Sequence, residues 1–181
     1  MILDATAGNR TMWHKKDPPN IIFADMERKL HVKPTIFCDT RQAPFRMQTF
    51  NTIIFDPPHL WGGELDYTPT YPREIKRLKQ KFKGKPFTYY GWDKYQTRIQ
   101  LITYIYYCEA EFKRILKPDG LLWLKWNETK IDLNRILAIF ADWHLLMQIK
   151  CAIEKHTLGR ADTYWVLLSK KNTEGTQTTL G

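Results

Sequence analysis

Cysteine is scarce in this chain: Cys38, Cys108 and Cys151 are the three among 181 residues. They are odd in number and far apart, so they give neither a disulfide framework nor a metal-ligand spacing. They read as buried or half-buried free thiols of a reducing cytosol, and no metal is expected. Long apolar runs are absent too. No stretch approaches the roughly 18 apolar residues that a membrane helix needs. No charged-then-apolar leader opens the chain, so neither a membrane partner nor a signal peptide is expected, and the expected location is the cytoplasm. Internal repeats are missing. Glycine numbers nine, and no G-x-G-x-x-G follows the first strand-like run, which argues against a nicotinamide-dependent oxidoreductase. Acids are outnumbered, 19 against 28 lysines and arginines, for a net charge of +9. That balance favours a polyanionic partner, nucleic acid first, although many basic proteins bind nothing special.

What is present suffices for one folded domain. The apolar fraction is 43%, enough for a real core. Strand-like and helix-like runs alternate, which predicts an α/β fold with a mostly parallel sheet covered by helices. Four apolar runs in succession stop on an aspartate: Met1 to Leu3 on Asp4, Asn20 to Ala24 on Asp25, Thr35 to Cys38 on Asp39, and Thr52 to Phe55 on Asp56. Ligands of open α/β sheets sit outside the carboxyl ends of the strands, so four strand-end acids would gather around one crevice. Each is equally open to a role as turn or helix-cap residue; Asp25 would then cap a helix-like Met26-Glu27-Arg28-Lys29-Leu30. After Asp56, Pro57 and Pro58 forbid further strand, because they lack the N–H that the ladder needs.

A long connection, residues 59–92, follows. Its run from Arg73 to Lys85 places Ile75, Leu78 and Phe82 at amphipathic spacing with a basic outer face. Connections this long act as lids or binding loops in compact domains. Arg73, Lys76, Arg77, Lys79, Lys81, Lys83 and Lys85 would meet phosphates, unless they form only a solvated face. Leu101, Ile105, Cys108, Phe112 and Leu116 mark one face of a helix over 93–116. Lys117-Pro118-Asp119-Gly120 turns the chain. Leu121 to Trp126 reads as a fifth strand, Leu133, Ile136, Leu137 and Phe140 as a helix, and 145–154 and 163–169 as two final strands. The tail, 171–181, lacks apolar mass and is expected to be disordered.

Taken together, these segments resemble the class I S-adenosylmethionine-dependent methyltransferases, and among them the amino-methylating enzymes with a (D/N/S)-P-P-aromatic motif. "ILDATAG" at 2–8 resembles the first motif, a strand, an acid and a glycine-bearing loop. "IIFADMER" at 21–28, "FCDTRQAPF" at 37–45 and "FNTIIFDPPH" at 50–59 are similar to the second, third and fourth. "FKRILKPDGLLWLKW" at 112–126 looks like the family's helix, turn and fifth strand. The resemblance spans residues 1–170 in the right order. Three features depart from it: a single glycine in the first loop, a chain that starts on the first strand without the helix that usually precedes it, and His59 where Tyr, Phe or Trp is usual.

The resemblance implies a Rossmann-like, three-layer α/β/α domain over 1–170, with seven strands and a C-terminal antiparallel hairpin. It implies S-adenosylmethionine as cofactor, held by Asp4, Ala5, Thr6, Ala7 and Gly8 in the first loop, by Asp25 and Met26 at the ribose, and by Asp39 and Thr40 at the adenine. Asp56, Pro57, Pro58 and His59 would carry catalysis on an exocyclic amine of a nucleic-acid base, adenine N6 first, in DNA or RNA. His59 would stack on the base, with Trp61 as an alternative stacker or a loop anchor. Two alternatives stay open: methylation of a protein amide or small molecule, and a non-catalytic nucleic-acid-binding subunit. A partner subunit or a homodimer is open as well.

Overall fold

The computed structural model describes residues 1–61, 94–151 and 162–171. Seven strands form one sheet: β1 (Ile2–Asp4), β2 (Ile21–Asp25), β3 (Ile36–Phe37), β4 (Phe50–Phe55), β5 (Leu116–Asn127), β6 (Trp143–Cys151) and β7 (Thr163–Lys170), in the order β3-β2-β1-β4-β5-β7-β6. The first five are parallel to their neighbours, and β7 runs antiparallel to both β5 and β6. This is the seven-stranded sheet with an antiparallel C-terminal pair that the family resemblance implies.

Helix α1 (Arg98–Ile115) occupies the expected segment. Thr97 caps it, its hydroxyl accepting from the Gln100 amide at 3.2 Å, and Lys113 and Arg114 in its last turn suit the negative end of the helix dipole. Leu101, Ile105, Cys108 and Phe112 are fully buried, as their spacing requires. They meet the β4–β5 face, where Ile53, Phe55, Leu122, Leu124 and Trp126 are also buried; the Phe55 and Phe112 rings meet edge-on at 4.8 Å. Helix α2 (Leu133–Leu137) and the 3₁₀ turn Ala138–Phe140 join the same core.

Two details differ from the sequence reading. The turn at 117–120 lies inside β5: Phe50 pairs with Leu116 and Thr52 with Leu121, so these four residues bulge out of the ladder. Gly120 is required there, because a Cβ would stand 2.6 Å from Cγ of the buried Leu116. Secondly, the connections 5–20 and 26–35 are turns and bends, and the α-helices among the described residues pack on one side of the sheet. Asp25 therefore caps no helix. Asn9 takes the His31 and Val32 amides, so the segment after Asp25 closes as turns instead of a helical ladder. Among the described residues no helix is long and apolar enough to cross a membrane. The basic residues Arg73, Lys76, Arg77, Lys79, Lys81, Lys83 and Lys85, and the tail from 172, lie outside the described residues.

Candidate active site

β1, β2 and β4 are parallel and adjacent, so their carboxyl ends bring Asp4, Asp25 and Asp56 to one edge of the sheet. The first loop is pinned between its neighbours. Ala5 N–H donates to the Ile54 carbonyl at 2.9 Å, and Ala7 N–H to the Ala24 carbonyl at 3.0 Å. Gly8 has φ +52°, a left-handed conformation that glycine adopts without strain, and it aims its N–H at Asp25 Oδ2, 2.8 Å away. Asp25 Oδ1 accepts from the Glu27 amide at 2.7 Å. The Thr6 hydroxyl accepts from the Asp56 amide at 2.8 Å, tying the first loop to the fourth strand. The Thr40 hydroxyl donates to the Ala5 carbonyl at 2.7 Å.

These residues surround a cleft of about 390 Å³. Ala5, Thr6, Ala7, Gly8, Asp25, Met26, Thr40, Asp56 and Pro58 of the expected site line it. Lys94, Tyr95, Tyr104 and Lys125 line it too, and nothing in the sequence singled them out. The most consequential is Lys125, whose ammonium lies 2.7 Å from Asp56 Oδ2. Burial pushes the Asp56 pKa up, and Lys125 pulls it back.

Other expected site residues are placed elsewhere. Asp39 is not on the cleft wall; it caps the 3₁₀ turn Thr40–Gln42 and grips the Arg41 guanidinium through both oxygens. Arg41 holds its carboxyl below the usual range. β3 ends at Phe37, two residues before Asp39, so the acid sits in the turn instead of at the strand end. Trp61 is 3% exposed and belongs to the core, with Lys130 4.9 Å from its ring centre; it anchors the loop and is no exposed stacker. His59 stands edge-on to Trp126 at 6.3 Å. Burial and the Lys125 charge lower its pKa to about 4, so its ring is neutral at pH 7. Pro57 is buried.

Asp4 is fully buried beneath the cleft. Its Oδ2 accepts from the Trp13 indole at 2.7 Å, a partner the sequence did not reveal. Burial raises its pKa to about 6, with Asp56 and Asp25 adding to the rise and the Trp13 hydrogen bond opposing it. The folded chain therefore holds this proton between the ordinary value of 3.8 and about 6, where the unfolded chain has released it. Stability from this group is lost as pH rises through that window. Compared with Asp4→Asn in urea titrations, the wild type is expected to lose about 3 kcal/mol of unfolding free energy across it. A difference that stays flat with pH would show that Asp4 keeps its ordinary pKa in the folded chain.

Asn9 and Arg10 explain how a loop with one glycine holds its shape. Asn9 Oδ1 accepts from the amides of His31 and Val32, at 2.8 and 3.2 Å. The buried Arg10 guanidinium donates to the Lys33 carbonyl at 2.6 Å and lies 4.0 Å from the Phe23 ring centre. Among the described residues no group of three or more His, Cys, Asp or Glu side chains is placed to hold a metal.

No family profile and no curated protein matches the sequence. Solved structures do match the fold. A protein of Pyrococcus horikoshii OT3 superposes with a TM-score of 0.55 over 94% of this chain and 81% of its own, at 11% identity. A TehB-like S-adenosylmethionine-dependent methyltransferase from Corynebacterium glutamicum superposes with a TM-score of 0.53 over 94% of this chain and 79% of its own, also at 11% identity. The chain has the Rossmann-like methyltransferase fold. In this fold the cleft described above lies at the carboxyl ends of β1, β2 and β4, where open α/β sheets bind their ligands. At such low identity the likeness carries the fold and not the subfamily, so the chemistry has to be argued from the cleft.

Proposed function

We propose that this chain is an S-adenosylmethionine-dependent methyltransferase that acts on an exocyclic amine of a nucleic-acid base, adenine N6 first. The observation that carries this reading is the shared wall: Asp56, an acceptor for an amine, lines the same cleft as Asp25 and the first loop. The donor set suits the cofactor. Each Asp25 oxygen accepts one backbone N–H, and a carboxylate oxygen has two lone pairs, so both keep capacity for a ribose hydroxyl. Met26 offers an apolar surface beside them. The cleft volume lies within the range of small-molecule sites. Asp39, turned to Arg41, is left out of this assignment.

Bound there, S-adenosylmethionine supplies an electrophilic methyl group on a positively charged sulfur. The protein's part is to prepare the amine. An exocyclic amine is a poor nucleophile, because its lone pair is delocalised into the ring. Asp56 accepts one of its N–H groups, and a carbonyl of Pro57 or Pro58 accepts the other on a backbone that the rings hold rigid. Both acceptors favour the pyramidal nitrogen as positive charge develops. The proton that the methylated nitrogen sheds passes to Asp56 or to solvent. His59, neutral at pH 7, brings no competing charge to the base. A duplex substrate would have its target base flipped out. The net charge of +9 favours such a polyanion, and the run from Arg73 to Lys85 would meet its phosphates.

The test offers tritiated S-adenosylmethionine to the protein with DNA, RNA and protein together. Label is expected in nucleic acid, released as N6-methyladenine on digestion. Label in protein alone would move the substrate to a side-chain amide. No cofactor heat by calorimetry and no label would leave a nucleic-acid-binding subunit instead.

A further inference from the structure

The contact between Asp56 and Lys125 ties the Asp-Pro-Pro motif to a residue 69 positions away. Resting on the function proposed above, we infer that Lys125 is a positioning residue: its ammonium clamps Asp56 Oδ2, keeps the carboxylate charged, and leaves Oδ1 facing a neutral amine substrate.

The geometry follows from strand register. β4 and β5 pair Ile54 with Trp123 and Phe55 with Leu124, so the next residues along, Asp56 and Lys125, lie side by side. Leu124 and Trp126 point into the core, which sends Lys125 to the opposite face. Across the sheet Lys125 pairs with Trp165 of β7, and its Nζ lies 6.0 Å from that ring's centre. The ring holds the amine on one side while Asp56 takes it on the other. The clamp is half-buried, with side-chain exposure of 29% for Lys125 and 16% for Asp56, so solvent screens it little. Among the described residues Asp56 Oδ1 has no partner.

Burial of Asp56 explains why a clamp is needed. Asp4 ends β1 and Asp25 ends β2, and Asp56 and Asp25 both act on Asp4 as like charges. His59, two residues past Pro57, is neutral at pH 7. Lys94, ahead of α1, is drawn to Glu27 at 3.6 Å. Among the described residues, Lys125 is the cation within hydrogen-bond reach of Asp56. Without it, burial would favour the protonated acid. A protonated acid donates where the amine needs an acceptor. The same positive charge repels an alkylammonium, so the clamp selects a neutral, conjugated amino group over a lysine side chain.

The test compares wild type, Lys125→Met and Lys125→Arg in pH profiles of kcat/KM. In Lys125→Met the acid limb is expected to move up by about one pH unit or more, with KM for nucleic acid nearly unchanged; Lys125→Arg keeps the wild-type limb. An unmoved limb with a raised KM would overturn the clamp and make Lys125 a phosphate contact. The carboxylate ¹³C signal of Asp56 reads the clamp directly, whether or not any substrate is methylated. A titration that moves up in Lys125→Met supports the clamp even if the proposed reaction fails, and an unchanged titration overturns it. If Lys125→Met does not fold, Lys125→Gln takes its place in both measurements, and an Asp56 titration unchanged in that variant overturns the proposal.

Discussion

Asp56→Ala is expected to lower kcat about 10²- to 10³-fold while leaving S-adenosylmethionine affinity, read by calorimetry, within about threefold of wild type. The size follows from losing one preorganised acceptor aimed at charge that develops during reaction, an effect of that order in acyl-transfer sites. Cofactor binding is expected to survive because Asp56 is assigned to the amine and not to the cofactor, and its backbone amide keeps the Thr6 hydroxyl. Asp56→Asn is the sharper variant. It preserves shape and one acceptor oxygen, but its amide must turn NH₂ either towards Lys125, donor against donor, or towards the substrate. A loss smaller than that of alanine and larger than none is expected. Full activity in Asp56→Ala would remove this carboxylate from the chemistry.

Asp25→Ala is expected to act on the other ligand. Its carboxylate restrains the first loop through the Gly8 amide and the following turn through the Glu27 amide, and it is assigned to the ribose. Hydrogen bonds to a charged group contribute about 1.5–3 kcal/mol each, so cofactor affinity is expected to fall roughly 10²-fold or more. At saturating cofactor, kcat is expected to stay within a few-fold. The two variants then separate cleanly, one moving kcat and the other cofactor affinity. Unchanged cofactor affinity in Asp25→Ala would place the ribose elsewhere.

Much of the architecture was legible because it is written locally. Apolar runs of three to six residues ended by an acid announce strands, and a repeat of 3.6 residues announces α1. Two consecutive prolines end β4 wherever they stand. The helix-like reading of residues 26–30 failed, because Asn9 takes the His31 and Val32 amides that a continuing helix would use. Asp39 misled for a related reason. An acid after an apolar run is as suited to capping as to binding, and Arg41, two residues on, captured it. Trp61 was open to two readings, stacker or loop anchor, and its burial favours the anchor.

The sequence by itself determined which residues stand at the carboxyl ends of β1, β2 and β4, and hence that Asp4, Asp25 and Asp56 converge. Strand-end position depends on neighbours in the chain, and parallel pairing does the rest. Only the tertiary structure decided what each acid touches: Trp13 on Asp4, the Gly8 amide on Asp25 and Lys125 on Asp56. Those partners are set by loop closure and by the β4–β5 register across tens of residues, and a shift of one residue would have sent Lys125 to the other face.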